Sequence, residues 1–173
     1  IVSDSPPPHI RCLYPIKSKI QFEKELDQLL KNFNALSPDI FLGSKPGQVN
    51  KPSMILSFDD GLSEVYDVIA PVLLRKGIPA IIFLNNSFID NKDLFFRYKA
   101  SVLADLIRNN KLSSDQQNLI RQKLGVTELK PHRLIRSVLN IGWHCRNLTS
   151  EIASMVEIDF QDYLKKNRPY MES

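Results

Sequence analysis

Two short apolar runs on either side of one amphipathic segment limit the folds open to this chain more than any other feature. Residues 54–58 and 80–84 are apolar almost throughout, which is typical of strands covered on both faces in a parallel sheet. Between them, apolar residues recur at helical spacing over residues 62–73, and the stop signals Arg75-Lys76-Gly77 follow. Pro71 is expected to kink this helix. The pattern predicts a parallel strand-helix-strand crossover and therefore an α/β fold.

The first apolar run ends in two adjacent carboxylates and a glycine, Asp59-Asp60-Gly61. A carboxylate beside an apolar core is costly unless a metal, a proton or a cation compensates it. One acid of such a pair can bind a divalent cation while its neighbour acts as a general base. In a surface turn, by contrast, the same three residues would carry no function. Because the second run leads into Asn85 and the carboxyl ends of parallel strands share one edge, we expect Asp59, Asp60 and Asn85 on the same rim.

The segments before this unit are expected to frame it. Four prolines predict an extended lead-in over residues 3–16, in which His9 is expected to be a solvated loop residue rather than a metal ligand. The pattern Ser18-x-x-Gln21 is a capping box that begins an amphipathic helix. Residues 37–53 contain three prolines and two glycines and predict a loop with a short extended piece at residues 40–42.

Beyond residue 93 the alternation of strands and helices stops, and only helical patterns follow. They are expected near residues 96–109, 114–124, 128–139, 150–156 and 159–166. We interpret residues 93–166 as a helical insertion within a single domain of residues 1–173, because the segment is too long for an ordinary loop. Between residues 96 and 146 it carries 10 Lys+Arg against 3 Asp+Glu. This excess is typical of solvated helix faces; alternatively, it predicts a patch that receives an anionic polymer or a lipid head group.

Composition excludes several classes of protein. The chain has a net charge of +4 with 43% hydrophobic and 24% charged residues, which is ordinary for a globular domain and does not indicate nucleic-acid binding. No apolar run approaches the length of a membrane-spanning helix. With only two cysteines, Cys12 and Cys145, we expect two unpaired core thiols, so cysteine usage does not indicate a compartment. Ile1 and Ser173 both resemble cut ends, which suggests a piece of a longer protein.

Two motifs in the correct order resemble one known family. Ser57-Phe58-Asp59-Asp60-Gly61 is similar to the Thr/Ser-Phe-Asp-Asp-Gly signature of the polysaccharide deacetylase family, carbohydrate esterase family four, and residues 77–84 resemble its next element, Gly-x-x-Ala-Thr-Phe-Phe. The resemblance is specific over about residues 50–90 and looser outside them. The lead-in at residues 13–16 and the helical insertion are similar to a bacterial branch. The resemblance implies a distorted (β/α) barrel, here a partial one, that removes acetyl groups from N-acetylated sugars.

The resemblance also implies roles for the two acids, Asp59 as the general base and Asp60 as a ligand of zinc or a similar divalent ion. The family's other metal ligands come from a later His-x-x-Ser/Thr-His segment. The chain has three histidines, and they do not form that segment because they lie far apart, at His9, His132 and His144. Residues 168–170, Arg-Pro-Tyr, resemble the family's Arg-x-Pro-Tyr stretch but lack the intervening residue, so we interpret the match as coincidental. Truncation explains these departures most simply, and we predict neither tight zinc binding nor deacetylation by this chain alone.

Two other functions are open at this level. A non-catalytic carbohydrate-binding or scaffold member of the family would keep the strand and lack the histidines. A phosphotransferase would bind magnesium at an acidic strand end, but alternate acids rather than an adjacent pair would be expected there. The expected partner is an N-acetylated glycan, with no nucleic acid and no transmembrane segment. An exposed parallel edge would need cover from the helical insertion, a second copy in a homo-oligomer or further residues.

Overall fold

The computed structural model of the chain describes residues 1–43 and 52–172 and has the mixed helix-and-strand composition that the sequence predicts. The α-helices are α1 (Pro8–Arg11), α2 (Lys19–Asn32), α3 (Pro38–Gly43), α4 (Ala70–Lys76), α5 (Phe96–Arg108), α6 (Ser114–Leu124), α7 (Pro131–Leu139), α8 (Leu148–Met155) and α9 (Phe160–Asn167). The strands are β1 (Asn34–Ala35), β2 (Ser53–Met54), β3 (Leu56–Phe58) and β4 (Ala80–Ile82). A π-helical turn covers Val65–Ile69, and 3-10 turns cover Ile89–Asn91 and Trp143–Cys145.

The chain divides into two compact units. The strand unit consists of Ile1–Asp4, Ile16–Asp90 and Pro169–Ser173. The helical unit consists of Ser5–Pro15 and Asn91–Arg168. Helices α5 to α9 fall on the five helical segments expected from the sequence. No helix in the described part of the chain is long and apolar enough to cross a membrane.

The strands of the strand unit pair in parallel, and the parallel pairing predicted for the two apolar runs is confirmed. β1 pairs with β2, and β3 pairs with β4 so that Leu56 lies opposite Ala80 and Phe58 opposite Ile82. Only Ile55 separates β2 from β3, so the predicted strand 54–58 has one neighbour along its first part and another along its second. The connection from β3 through α4 to β4 is the predicted parallel crossover.

The core of the strand unit lies between α2, the crossover helix and the strands. Its buried members are Val2, Phe22, Leu26, Val65, Ile69, Val72, Leu73 and Ile78, with Leu56, Phe58 and Ala80 packed against them. The prediction of strands covered on both faces is wrong for the described residues, because Phe83 and Leu84 just beyond β4 are 55% and 53% exposed. In the described part of the chain, the core helices pack against one face of these strands, and an apolar run does not by itself show whether a second layer exists.

The predicted kink at Pro71 takes the form of a π-helical turn. Proline has no backbone N–H and cannot donate to the carbonyl four residues earlier. The preceding turn, Val65–Ile69, is π-helical, and the N–H of Ala70 donates to the carbonyl of Val65. The wider turn shifts the hydrogen-bond register just before the proline, so α4 continues to its left-handed end at Gly77.

The flanking segments depart from the prediction in two places. α1 is helical where an extended lead-in was expected, and residues 40–42 lie within helix α3 rather than in an extended piece. Both helices begin at a proline, whose fixed φ favours the first helical position and whose missing N–H costs nothing there. The capping box of α2 is confirmed, since the side chains of Ser18 and Gln21 each accept the other's backbone N–H. Residues 44–51 of the predicted loop lie outside the described residues.

His9 is not the solvated loop residue that the neighbouring prolines suggested. It is 1% exposed within the helical unit, where its ring meets the rings of Tyr98 and Tyr163 edge-on at 5.9 and 6.1 Å. Its backbone N–H donates to the Tyr163 hydroxyl at 3.2 Å, and its Nδ1 lies 3.0 Å from the same oxygen. Its Nε2 has no hydrogen-bond partner among the described residues. Burial lowers the pKa of His9 from 6.5 to about 4. The ring is therefore neutral at physiological pH.

Both cysteines are unpaired, as expected, but they are not both in a core. Cys12 is half-buried, whereas Cys145 is exposed. The Cys12 backbone N–H donates to the Ser101 hydroxyl at 3.2 Å, and burial is the main cause that raises the pKa of the Cys12 thiol. His144, beside Cys145, is also exposed.

Candidate active site

The predicted acid pair lies where the parallel strands end. Asp59-Asp60-Gly61, which we call the acid loop, directly follows β3. The N–H of Phe83 donates to the carbonyl of Phe58 at 2.8 Å, so the ladder between the two strands continues one step beyond β4. The segments leaving β3 and β4 therefore start at the same edge of the sheet, and Asn85 follows from the second of them.

The acid loop turns sharply because two consecutive residues are left-handed. Asp60 has φ +69° and Gly61 has φ +65°. A left-handed conformation costs an ordinary residue about 1–2 kcal/mol, and aspartate tolerates it better than most. Glycine is required at the second position for a further reason. A Cβ atom on Gly61 would lie 2.7 Å from Cδ1 of Ile89 and 2.9 Å from Cδ2 of Leu84.

A distant part of the chain holds the acid loop in place. Residues 169–171, which we call the bracing segment, run antiparallel to the loop. The N–H of Met171 donates to the carbonyl of Gly61 and the N–H of Ser63 donates to the carbonyl of Pro169, both at 2.9 Å. The bracing segment is also bonded to Asp90, whose N–H donates to the carbonyl of Met171 at 3.1 Å.

Tyr170 anchors the bracing segment. Its side chain is 1% exposed and stacks on Phe88 with ring centroids 5.6 Å apart and an interplanar angle of 19°. Sequence reasoning treated residues 168–170 as a coincidental match to a family motif. In the structure, the backbone of Met171 contacts the acid loop, and that of Pro169 contacts Ser63 just beyond it.

The three predicted site residues differ in their surroundings. Asp59 is exposed, and its carboxylate makes no hydrogen bond or ion pair with any residue in the described ranges. Asp60 is half-buried. The side-chain oxygen of Asn85 accepts the N–H of Ser87 at 3.1 Å, and its backbone carbonyl accepts the N–H of Phe88 at 2.9 Å. Asn85 thus stabilises the turn after β4, and its role at the substrate rim stays a prediction.

Glu64 is a buried acid close to the acid loop that sequence reasoning missed. It is 9% exposed, and its Oε2 atom has no hydrogen-bond partner in the part of the chain that the structure describes. Burial, with a smaller effect from Asp67, raises the pKa of Glu64; a hydrogen bond to its own backbone and the charge of the amino terminus oppose the rise. The sequence feature that could have predicted its burial is the four-residue spacing that places Glu64 on one helical face with Val68 and Val72.

The residues present do not fit a complete metal centre. Among residues 1–43 and 52–172, no group of three or more His, Cys, Asp or Glu side chains is placed to hold a metal ion. The remaining positions of the sequence contain none of these four residue types. All three histidines belong to the helical unit. Because catalytic zinc usually has three protein ligands, Asp59 and Asp60 supply at most part of such a site.

Comparison with known proteins gives one match. The family model described as polysaccharide deacetylase matches residues 46–157, which is more than half of the chain. The matched range contains the acid loop, β3, β4 and α4 to α8. No curated protein and no solved structure matches the chain.

Proposed function

The chain belongs to the polysaccharide deacetylase family, and on that basis we propose that it contributes to the hydrolytic removal of N-acetyl groups from a polysaccharide or another amino-sugar glycan. The observation that carries the proposal is the acid pair at the carboxyl edge of β3, inside the matched range. Carboxyl edges of parallel strands are where catalytic side chains of such folds lie. A non-catalytic carbohydrate-binding protein is the alternative, and no specific feature of the site favours it.

Asp59 is proposed as the general base. Its carboxylate is exposed and unpaired among the described residues, so a water molecule and a substrate can both reach it. The base takes a proton from the water, whose oxygen attacks the acetamide carbonyl carbon. The proton held by Asp59 passes to the leaving nitrogen as the C–N bond breaks, which yields acetate and a free amine on the sugar. A base in this position typically contributes about 10²- to 10⁴-fold to the rate.

Asp60 is proposed as the ligand that this chain contributes to a divalent metal ion, zinc in the first place. Such an ion would supply Lewis-acid polarisation of the acetamide carbonyl. The residues present do not complete a metal centre around such an ion. What the chain does supply is orientation: the left-handed turn and the bracing segment fix the directions in which the two carboxylates leave the backbone.

The architecture suggests where the rest of the site belongs. We propose that β3 and β4 are early strands of a distorted (β/α) barrel, that Asn85 lies at its substrate rim, and that the helical unit is an insertion like that of a bacterial branch of the family. The exposed side chains of Ile82, Phe83 and Leu84 mark the part of this sheet that needs cover. A further strand or a second copy of the chain would supply that cover.

The proposal is tested with the full-length protein that contains these residues. Acetate release from N-acetylglucosamine oligomers is measured for the unmodified protein, for Asp59→Asn and for the control Asp39→Asn, which changes an exposed acid of α3. We expect Asp59→Asn to lower kcat by about 100-fold or more and Asp39→Asn to leave it unchanged. Undiminished acetate release by Asp59→Asn would remove Asp59 from its role. Glycan binding without acetate release by the unmodified protein would favour the carbohydrate-binding alternative.

A further inference from the structure

The helical unit contains a polar cleft that the proposed deacetylation does not use. It has a volume of about 340 Å³ and lies between the loop that follows α6 and one face of α7. The loop contributes Thr127 and Glu128, and α7 with its C-terminal cap contributes Arg133, Arg136, Ser137 and Asn140. This volume is sufficient for a small ligand such as a sugar phosphate.

The groups that line the cleft are mostly hydrogen-bond donors without an acceptor. Arg133 and Arg136 are one helical turn apart on the same face of α7. Arg133 forms an ion pair with Glu128, with Nε and Oε2 3.2 Å apart. Within the described ranges, the side chains of Arg136 and Ser137 form no hydrogen bond or ion pair. Two guanidinium groups against a single carboxylate leave one positive charge in the cleft uncompensated.

Both walls of the cleft are held in place before any ligand arrives. The opposite face of α7 is anchored by Leu134 and Val138, which are both 0% exposed. The loop leaves α6 through Gly125, whose φ is +66°, and the N–H of Val126 donates to the carbonyl of Arg121 at 2.9 Å. The guanidinium of Arg121 then donates to the carbonyl of Leu129 at 3.0 Å. A preformed cleft loses less conformational entropy on binding than arginines on a mobile surface would.

The net positive charge of the surrounding segment also favours an anionic ligand. Residues 96–146 carry 10 Lys+Arg against 3 Asp+Glu, and such an excess attracts anions over distances of about 8–10 Å at moderate salt. Solvated helix faces account for much of this excess. They do not account for two arginines of α7 that lie across a cleft from the Thr127 and Glu128 side chains of the loop.

We propose that this cleft binds a phosphate group. A guanidinium donates two parallel hydrogen bonds to a phosphate, and Thr127, Ser137 and Asn140 offer further donors. The phosphate would displace Glu128 from Arg133 and engage Arg136 directly. The same group can be carried by a phosphorylated sugar or by a lipid head group, and the experiment distinguishes these sources. The inference is independent of the proposed deacetylation.

The test is an NMR titration of the isotope-labelled 173-residue chain with inorganic phosphate and with glucosamine 6-phosphate. We expect saturable shifts of the amides of residues 126–128 and of the Nε–H groups of Arg133 and Arg136. Charge-assisted hydrogen bonds of this kind correspond to about tenfold or more in affinity, so Arg136→Gln should weaken binding by at least that factor. Glu128→Gln removes the competing acid and should tighten binding.

The control is Arg108→Gln, which removes the same charge from an exposed position in the last turn of α5 that does not line the cleft. Equal weakening by Arg108→Gln and Arg136→Gln would show an effect of net charge alone and would overturn the proposal. So would the absence of shifts at the cleft up to about 20 mM of both phosphate compounds together with no vesicle binding. Vesicles of phosphatidylglycerol, with phosphatidylcholine as the reference, identify a lipid source if they bind through Arg136 and inorganic phosphate competes. Shifts with the soluble phosphates alone identify a phosphorylated small molecule.

Discussion

Replacing Gly61 with alanine should damage the strand unit in two separable ways. The first is conformational, since alanine at φ +65° costs about 1–2 kcal/mol. The second is steric, because the new Cβ would lie 2.7 Å from Cδ1 of Ile89 and 2.9 Å from Cδ2 of Leu84. Leu84 is exposed and can move aside, whereas Ile89 is buried and its displacement adds about 1–3 kcal/mol. We expect Gly61→Ala to lower the free energy of unfolding by about 2–5 kcal/mol.

Gly77 provides a matched control within the same unit. It has nearly the same φ, +64°, but apart from its chain neighbours and the backbone of its own helix, no atom of the described residues lies within 4 Å of the position that its Cβ would occupy. Gly77→Ala should therefore lose only the conformational part, about 1–2 kcal/mol. The difference between the two variants, measured by urea denaturation, isolates the contact with Ile89.

A local measurement sharpens the comparison. The N–H groups of Met171 and Ser63 donate the two hydrogen bonds between the bracing segment and residues 61–63. Their hydrogen exchange should therefore accelerate in Gly61→Ala and not in Gly77→Ala. The double variant Gly61→Ala with Ile89→Ala should lose less stability than the sum of the two single variants, because the two changes share one contact. Equal destabilisation by the two glycine variants, with unchanged exchange at Met171, would refute the argument.

Two further predictions concern His9 and zinc. Because His9 titrates at about 4 in the folded chain rather than at 6.5, the unfolded state gains the proton first, and the free energy of unfolding should fall by about 3 kcal/mol as the pH drops from 6.5 to 4. Denaturation curves across this range should show the loss in the unmodified chain and not in His9→Gln; parallel pH profiles would contradict it. The described part of the 173-residue chain has no group of three metal ligands, so the chain should bind zinc with micromolar affinity or weaker. A competition assay with a chromogenic chelator measures this affinity. Stoichiometric binding at nanomolar affinity would show the expectation to be wrong.

The parts of the fold that sequence reasoning reached are those governed by local patterns. The crossover of β3, α4 and β4 follows from apolar spacing and a terminal Gly77, and the start of α2 follows from its capping box. The acid pair could be placed because it sits at the end of one of these elements. In each case the informative residues are within a few positions of one another.

The features that sequence reasoning missed depend on contacts between residues far apart in the chain. The bracing segment lies 108 positions or more from Gly61 along the sequence, and its bonds to the acid loop use backbone groups, which leave no signature in residue types. His9 is buried by Tyr98 and Tyr163, so the prolines beside it could not reveal its surroundings. Glu64 did carry a signal, an acid at a position shared with valines, but spacing alone does not tell a buried carboxyl from an exposed one.

The hydrogen bond between the N–H of Asp90 and the carbonyl of Met171 has a consequence for how sequences of this kind can vary. The two residues stand on either side of the long excursion that forms most of the helical unit, and the strand unit itself fixes both. Closing a longer or shorter loop between two fixed points changes the free energy only with the logarithm of its length, by about 0.6 kcal/mol for each doubling. The excursion can therefore gain or lose whole helices during evolution while Asp59 and Asp60 keep their orientation.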